Sequence, residues 1–347
     1  MQKKGNKYGT HRVLEPRGVL PQPALRVSND FSEIYDNEIL CEVTTLNIDS
    51  ASFTDIKGRS GGDQEEIARI IMDIVNKYGK LKNPWTGSGG MFIGEVTTIG
   101  DALKDRIGLK EGDRIASLVS LSLTPLRITE IVTIYMDKDQ VDIRGQALLF
   151  ESGIWAKLPK DIPETLALAV LDVAGAPAQV DRLVAYGDTV AVIGARGKSG
   201  LLCCYQAKKR AGADGRVIGV VHREEGKADV ENAPFVDEII VAQADQALDL
   251  LQKVDKATDG DLCNVVVNCV SRENCELGAI LIAKEFGKVY FFSMATSFTA
   301  AALGAEGIGK DVEMIIGNGY CGGHAELALN IIRQSNYLKD LYMKRYC

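Results

Sequence analysis

The second half of this chain alternates short apolar runs with helix-forming stretches, and that pattern narrows its folding options more than any other feature. The runs lie at 189–193, 217–221, 238–241, 265–269, 289–292 and 312–316. Runs this short and this apolar fit strands buried on both faces, with the helical stretches carrying the chain back across the sheet. The pattern predicts an α/β fold with a doubly wound parallel sheet of six strands, of Rossmann type. Its first helix is expected over 200–211, closed by Gly212.

Strand 189–193 runs directly into Gly194-Ala195-Arg196-Gly197-Lys198-Ser199-Gly200 and then into that helix. A strand, a glycine-rich turn and a helix start together make an anion site. Unpaired N–H groups and the helix dipole favour a pyrophosphate, and glycine lets the backbone turn tightly and approach it. Gly194, Arg196, Gly197, Lys198, Ser199 and Gly200 are therefore candidate cofactor-binding residues. The spacing is Gly-x-x-Gly-x-x-Gly, with Arg196 where the Gly-x-Gly-x-x-Gly pattern has its second glycine. A tight turn without ligand is the alternative, and the strand–helix repeats that follow argue against it. Gly197-Lys198-Ser199 also matches the end of an NTPase phosphate loop. That motif needs a glycine five positions earlier, where Val192 stands inside the strand.

The tip of the second strand selects the dinucleotide. An acidic residue there would hold the ribose of NAD, and an arginine suits the 2′-phosphate of NADP. This chain reads His222-Arg223-Glu224. His222 and Arg223 lean towards NADP, and Glu224 keeps NAD open. Open parallel sheets bind ligands beyond the C-terminal ends of their strands. That rule adds Asn268 and Cys269, and Ser293 and Met294, to the cofactor candidates.

The first half reads as β-rich, with strands expected at 38–46, 92–99, 114–119 and 128–135 and one amphipathic helix at 65–78. The formal charge of −7 argues against a general nucleic-acid binder. No apolar run approaches the roughly 18 residues of a membrane span, and no secretory signal is visible, so a cytoplasmic protein is expected. Eight cysteines and three histidines are scattered without the short spacings that zinc needs. No metal is expected, and the thiols read as small buried apolar groups in a reducing compartment.

A β-rich half followed by a dinucleotide fold resembles the medium-chain dehydrogenase/reductase superfamily. The likeness is carried by Glu38-Ile39-Leu40-Cys41-Glu42-Val43-Thr44-Thr45-Leu46-Asn47, by 89–100 and by 108–116. It implies a GroES-like substrate domain at 1–174 and 318–347 around a Rossmann domain at 175–317. The superfamily's zinc ligands do not carry over: Asn47, Gly90, Met91 and Val173 stand at those positions. The N-terminal stretch from Gly9 to Ala24, GTHRVLEPRGVLPQPA, together with the glycine loop, is similar to a family of diamino-acid dehydrogenases of lysine fermentation. That resemblance implies NAD- or NADP-dependent, zinc-free oxidative deamination of a 3,5-diaminohexanoate to 5-amino-3-oxohexanoate and ammonia, in a homo-oligomer, expected as a dimer.

Such chemistry needs a base and groups to hold two ammoniums and a carboxylate. Glu15 and Asp49 are the candidate carboxylates, each alternatively a solvated acid, or a helix cap in the case of Asp49. His11 is the histidine best placed for proton transfer. Arg17 and Arg59 are candidates for the substrate carboxylate, and Asn47 completes the substrate set. Arg59 lies in Lys57-Gly58-Arg59-Ser60-Gly61-Gly62, which reads as a mobile loop or a plain surface linker. Two other functions stay open: a zinc-free quinone or enoyl reductase on the same scaffold, and a non-catalytic NADP(H)-binding sensor.

Overall fold

In the computed structural model, which describes residues 2–293, 295–317 and 319–347, the chain divides into two units, Met1–Asp161 and Ile162–Cys347. In the first, a single turn of 3-10 helix (Thr10–Arg12) leads into β1 (Val13–Glu15), which pairs antiparallel with β2 (Arg26–Val27). There follow β3 (Glu38–Asn47), α1 (Ser50–Arg59), α2 (Gln64–Tyr78), β4 (Met91–Ile99), β5 (Arg114–Ser117), β6 (Leu126–Tyr135), β7 (Gln140–Phe150) and β8 (Trp155–Lys157). Among the described residues these strands make an antiparallel sheet in the order β6-β7-β3-β4-β5-β8. The Asp63 side chain accepts from Glu66 N–H at 2.8 Å and opens α2, and Gly79 at φ 74° closes it. Ile67, Ile71 and Val75 on the buried face of α2 join Ile39, Leu46 and Phe92 in one core.

Five elements here go beyond the sequence reading. β1, β2, β7 and β8 were not expected. Residues 57–59, read as a loop, are instead the last turn of α1, which Asp49 caps and which Phe53 and Ile56 bury.

The second unit opens with α3 (Glu164–Leu171) and α4 (Gly175–Leu183). It continues as β9 (Thr189–Ile193), α5 (Lys198–Ala211), β10 (Arg216–Val221), α6 (Glu224–Lys227), β11 (Glu238–Val241), α7 (Ala247–Ala257), β12 (Cys263–Asn268), α8 (Glu276–Leu281), β13 (Ala283–Phe291), α9 (Phe298–Ile308), β14 (Glu313–Ile316), α10 (His324–Gln334) and α11 (Asn336–Tyr346). The sheet order is β11-β10-β9-β12-β13-β14, with every pairing parallel. This is the doubly wound Rossmann order, and its direction reverses between β9 and β12. Val190, Ala191, Val192, Val266 and Val267 are all buried, as strands covered on both faces must be.

The expected domain boundary at 174/175, with 318–347 returning to the first domain, does not match these units. α3 buries Leu166, Leu168, Val170 and Leu171, and α10 and α11 pack on α3 and α5, so both chain segments belong to the second unit. Residues 324–346 form two helices rather than one continuous helix. Ser335 leaves helical geometry at φ −123°, ψ 101°, and its side chain accepts from Leu338 N–H to start α11. Among the described residues no helix is long and apolar enough to cross a membrane.

Candidate functional site

At the reversal point of the parallel sheet, a cavity of about 600 Å³ opens over the glycine turn. Gly194 begins that turn at φ 84°, a backbone state that side chains avoid. The N–H groups of Gly194 and Ala195 both donate to the Val220 carbonyl, at 3.0 and 3.1 Å. A Cβ on Gly200 would lie 2.1 Å from the Gly194 oxygen, so only glycine lets α5 start this close to β9. The N–H groups of the first turn of α5 have no partner within the helix, which makes them donors for a phosphate.

Of the expected cofactor residues, Gly194, Arg196, Gly197, His222 and Cys269 line this cavity. Gln243 donates its side-chain amide to the His222 carbonyl at 3.0 Å and ties the tips of β10 and β11 together. The others serve from behind or to the side. Ser199 is buried in the first turn of α5. Asn268 accepts from Val270 N–H at 3.1 Å through Oδ1, and the Ser293 hydroxyl accepts from Ala295 N–H at 3.1 Å. Lys198 pairs with Asp172 at 3.0 Å and lies over the Tyr346 ring. Arg223 sits exposed at the N-cap of α6 and is not part of the lining. Met294 lies outside the described residues.

Sequence reasoning missed a second wall. Arg272, Arg345 and Tyr346 also line the cavity. Arg345 donates to the Arg196 carbonyl at 3.0 Å and pairs with Asp229 at 2.6 Å, and Arg196 pairs with the same carboxylate. The two guanidiniums lower the Asp229 pKa, hydrogen bonding from Arg196 being the largest cause. The Tyr342 hydroxyl donates to the Lys198 carbonyl, so α11 braces the glycine loop at two points. Nothing in the local sequence marks a helix some 150 residues downstream as part of that loop. The lining holds three guanidiniums and no carboxylate. A dinucleotide's negative phosphates fit it.

The first unit holds the expected substrate and catalytic residues. Asp49 lies two residues past the end of β3. Its Oδ1 accepts from Ser52 N–H at 2.9 Å, and its Oδ2 is buried without a hydrogen-bond partner. Arg59 donates Nε to both Asp55 oxygens at 2.9 and 3.0 Å, and its guanidinium stacks 3.0 Å from the Trp85 ring centre. Asn83 also donates to Asp55, at 3.0 Å. Glu15 ends β1 with its side chain exposed, and Arg17 is exposed in the turn after it. His11 uses both ring nitrogens. Nδ1 accepts from Asn6 N–H at 2.9 Å, so Nε2 carries the proton and donates to Glu38 at 2.7 Å. Arg12 donates to both Glu38 oxygens, at 2.8 Å to the oxygen that His11 also reaches and at 2.7 Å to the other. Burial pushes the Glu38 carboxyl up, but hydrogen bonds from Arg12, His11 and Tyr35 N–H outweigh it and hold it below its ordinary 4.5. His11 is thus placed as a strut beside a buried ion pair.

The residues that the motif resemblance sets at the superfamily's zinc positions lie together in the first unit. Asn47 pairs in register with Met91 and accepts from the Gln140 amide at 3.2 Å. Gly90 has φ 90°, and a Cβ there would meet the Asn47 carbonyl at 2.1 Å, which leaves no room for a histidine. An amide, a thioether and a bare glycine do not make a zinc site. Val173, in the second unit, adds only an apolar side chain.

Residues 11–159 match the model of the L-erythro-3,5-diaminohexanoate dehydrogenase N-terminal domain. The chain is 56% identical over 343 residues to the L-erythro-3,5-diaminohexanoate dehydrogenase of Acetoanaerobium sticklandii, covering 99% of each chain. It is 55% identical over 344 residues to the protein of the same name from Fusobacterium nucleatum subsp. nucleatum, again covering 99% of each. Among solved structures, a mycobacterial protein complexed with NADPH superposes with a TM-score of 0.55 at 15% identity, covering 92% of this chain and 85% of that one. That last likeness shows the fold, and the first two show the lineage. The chain belongs to the L-erythro-3,5-diaminohexanoate dehydrogenase family.

Proposed function

We propose that this chain is an NAD(P)-dependent dehydrogenase that oxidatively deaminates L-erythro-3,5-diaminohexanoate, giving 5-amino-3-oxohexanoate and ammonia in lysine fermentation. The observation that carries it is an identity of 55–56% to two proteins of that name along 99% of the chain, so the likeness takes in both units. When bound, the nicotinamide accepts a hydride from the carbon bearing the 3-amino group. The chain's own work is to remove a proton from the substrate ammonium, hold the remaining charges and admit water to the iminium carbon, from which ammonia leaves. An amine nitrogen supplies its own electron pair, so the step needs no Lewis acid. A zinc-free reading fits the residues at 47, 90, 91 and 173. Purified protein with the diamino acid and NAD⁺ or NADP⁺ should develop the reduced-nicotinamide absorbance together with one ammonia per turnover. Neither signal appearing with either cofactor, despite measurable nucleotide binding, would leave a sensor role instead.

Asp49 is the proposed base, because a buried carboxylate oxygen without a partner is rare unless a ligand completes it. Glu15, with its exposed carboxylate, is proposed to hold an ammonium. Arg59 offers its terminal nitrogens to the substrate carboxylate, since Asp55 engages only its Nε. Arg17 and Asn47 complete the substrate set, and His11 positions the N-terminal segment through Glu38.

Both NADP and NAD are proposed to bind, with NADP favoured. The cavity lining carries no acid to repel a 2′-phosphate, and Arg223 stands next to His222. Arg223→Glu is expected to weaken NADP by about tenfold or more and NAD far less. Equal effects in nucleotide titrations would remove Arg223 from phosphate recognition.

A dimer is proposed through β14. This strand is an edge of the parallel sheet, with Ile316 50% exposed and Phe298 and Leu303 of α9 exposed at 71% and 61%. An edge strand pairs readily with its own copy across a two-fold axis. Light scattering should give twice the chain mass and Ile316→Lys a monomer. A monomeric wild type would end this reading. The thiol-rich, metal-poor composition suits a reducing cytoplasm.

A further inference from the structure

The proposed reaction uses no thiol, yet two thiols meet under the cofactor cavity. Cys269 follows β12 and lines the cavity, half-buried. Cys203, in the second turn of α5, is fully buried beneath it, and the two sulfurs stand 3.9 Å apart. We propose that Cys203 and Cys269 are a redox-sensitive pair whose disulfide impairs nucleotide binding. The inference rests on reading the cavity as the cofactor's.

The geometry assigns different parts to the two sulfurs. Cys203 and its neighbour Cys204 are sealed from solvent, and burial pushes both thiols up, so neither starts the reaction. Cys269 faces the cavity, where a small hydroperoxide can reach it. The Cys269 sulfur takes the terminal oxygen of the hydroperoxide, the O–O bond breaks, and the alcohol (water, for hydrogen peroxide) leaves. That step takes two electrons from sulfur and gives a sulfenic acid. The Cys203 sulfur then attacks the Cys269 sulfur, the S–O bond breaks, and water leaves with the thiol proton. Overall, two thiols and one hydroperoxide give a disulfide, an alcohol and water. A dithiol returns both sulfurs to thiols.

Closing 3.9 Å to a disulfide of about 2.05 Å draws the sulfurs together by roughly 2 Å. The backbone there has little slack. Cys269 N–H donates to the Ile193 carbonyl at 3.0 Å, and the Val270 side chain lies 2.9 Å from where a Cβ on Gly194 would sit. A pull on Cys269 towards α5 therefore shifts the wall on which the Gly194 turn rests. Bound nucleotide, in turn, covers Cys269 and shields it.

The experiment treats the full-length protein with hydrogen peroxide, with and without saturating NADPH. Linked peptides are mapped by mass spectrometry, and NADH and NADPH affinities are measured by fluorescence. Expected are a Cys203–Cys269 peptide, an affinity loss of about tenfold or more reversed by dithiothreitol, and slower oxidation when NADPH is present. Cys269→Ser should bind nucleotide with the same affinity before and after peroxide, and Cys203→Ala should give no linked peptide. A link from Cys269 to any other cysteine, or no link, overturns the proposal. So does a Cys203–Cys269 link that leaves affinity unchanged. Untreated protein that binds neither nucleotide overturns the cavity reading, and this proposal with it.

Discussion

Asp49 does two jobs with one carboxylate, and they can be separated. One oxygen caps α1 through Ser52, and the other is buried without a partner. Asp49→Asn keeps an oxygen for the cap and removes the charge. Turnover should fall by about a hundredfold to ten-thousandfold, with nucleotide affinity and melting temperature nearly unchanged. An unaltered rate would move the base to Glu15, which Glu15→Gln tests in the same assay. Glu38 has a structural part. Its lowered pKa means that the ion pair with Arg12 stabilises the fold fully above 4.5, and that this stability is lost as pH falls through the lowered value. Glu38→Gln leaves the buried Arg12 unpaired and should cost about 3 kcal/mol at neutral pH. The acid limb of a stability–pH curve should flatten as well. A variant as stable as wild type in denaturant titration would show that the pair contributes nothing. The sequence names Glu15, Asp49 and His11 as polar residues in an unusual setting. It does not reveal that His11 is spoken for, because its partners are a backbone N–H and a carboxylate 27 positions away.

Between residue and fold, the elements that were legible are those whose burial is uniform. β9 and β12 are covered on both faces and read as unbroken apolar runs, and α2 shows a clean apolar stripe. β7 escaped notice because its burial changes character along its length, alternating at first and then continuous from Ala147 to Phe150. α1 escaped because Gly58 and its polar neighbours suggest a turn, whereas burial of Phe53 and Ile56 overrides that propensity. Lys80 is a further case of tertiary context. Its ammonium is fully buried and donates to the carbonyls of Pro21 and Ala24, each at 2.6 Å, so the chain just after α2 fastens the irregular 21–24 segment between β1 and β2. Burial, with Lys82 nearby, pushes its pKa down to about 8. Lys80→Met is expected to cost about 2–3 kcal/mol, because two buried carbonyls lose their donor. The loss should appear as faster proteolysis within 21–24. Unchanged stability and unchanged cleavage would mean that water replaces the ammonium.

For the whole molecule, the alternation of strands and helices announced the doubly wound parallel sheet of six strands. Asn47, Gly90 and Met91, which the motif resemblance sets side by side, meet in space. What stayed hidden was long-range: α11 returning to the glycine loop, and Arg272 and Arg345 facing Arg196 across one cavity. No local pattern records such an encounter, because it is set by how α3, α5, α10 and α11 pack. That cavity has a practical corollary for anyone who assays the protein. Three guanidiniums face the cavity and share two carboxylates behind them, Asp229 with Arg196 and Arg345 and Asp245 with Arg272, so the net positive charge left over should draw small oxyanions and make the buffer itself a competitor. In phosphate or sulfate the apparent KM for the cofactor should climb with buffer concentration while kcat holds, whereas a zwitterionic buffer with chloride at matched ionic strength should change it much less. Equal behaviour in both media would mean that the arginines are satisfied within the protein and leave no charge to spare for phosphate.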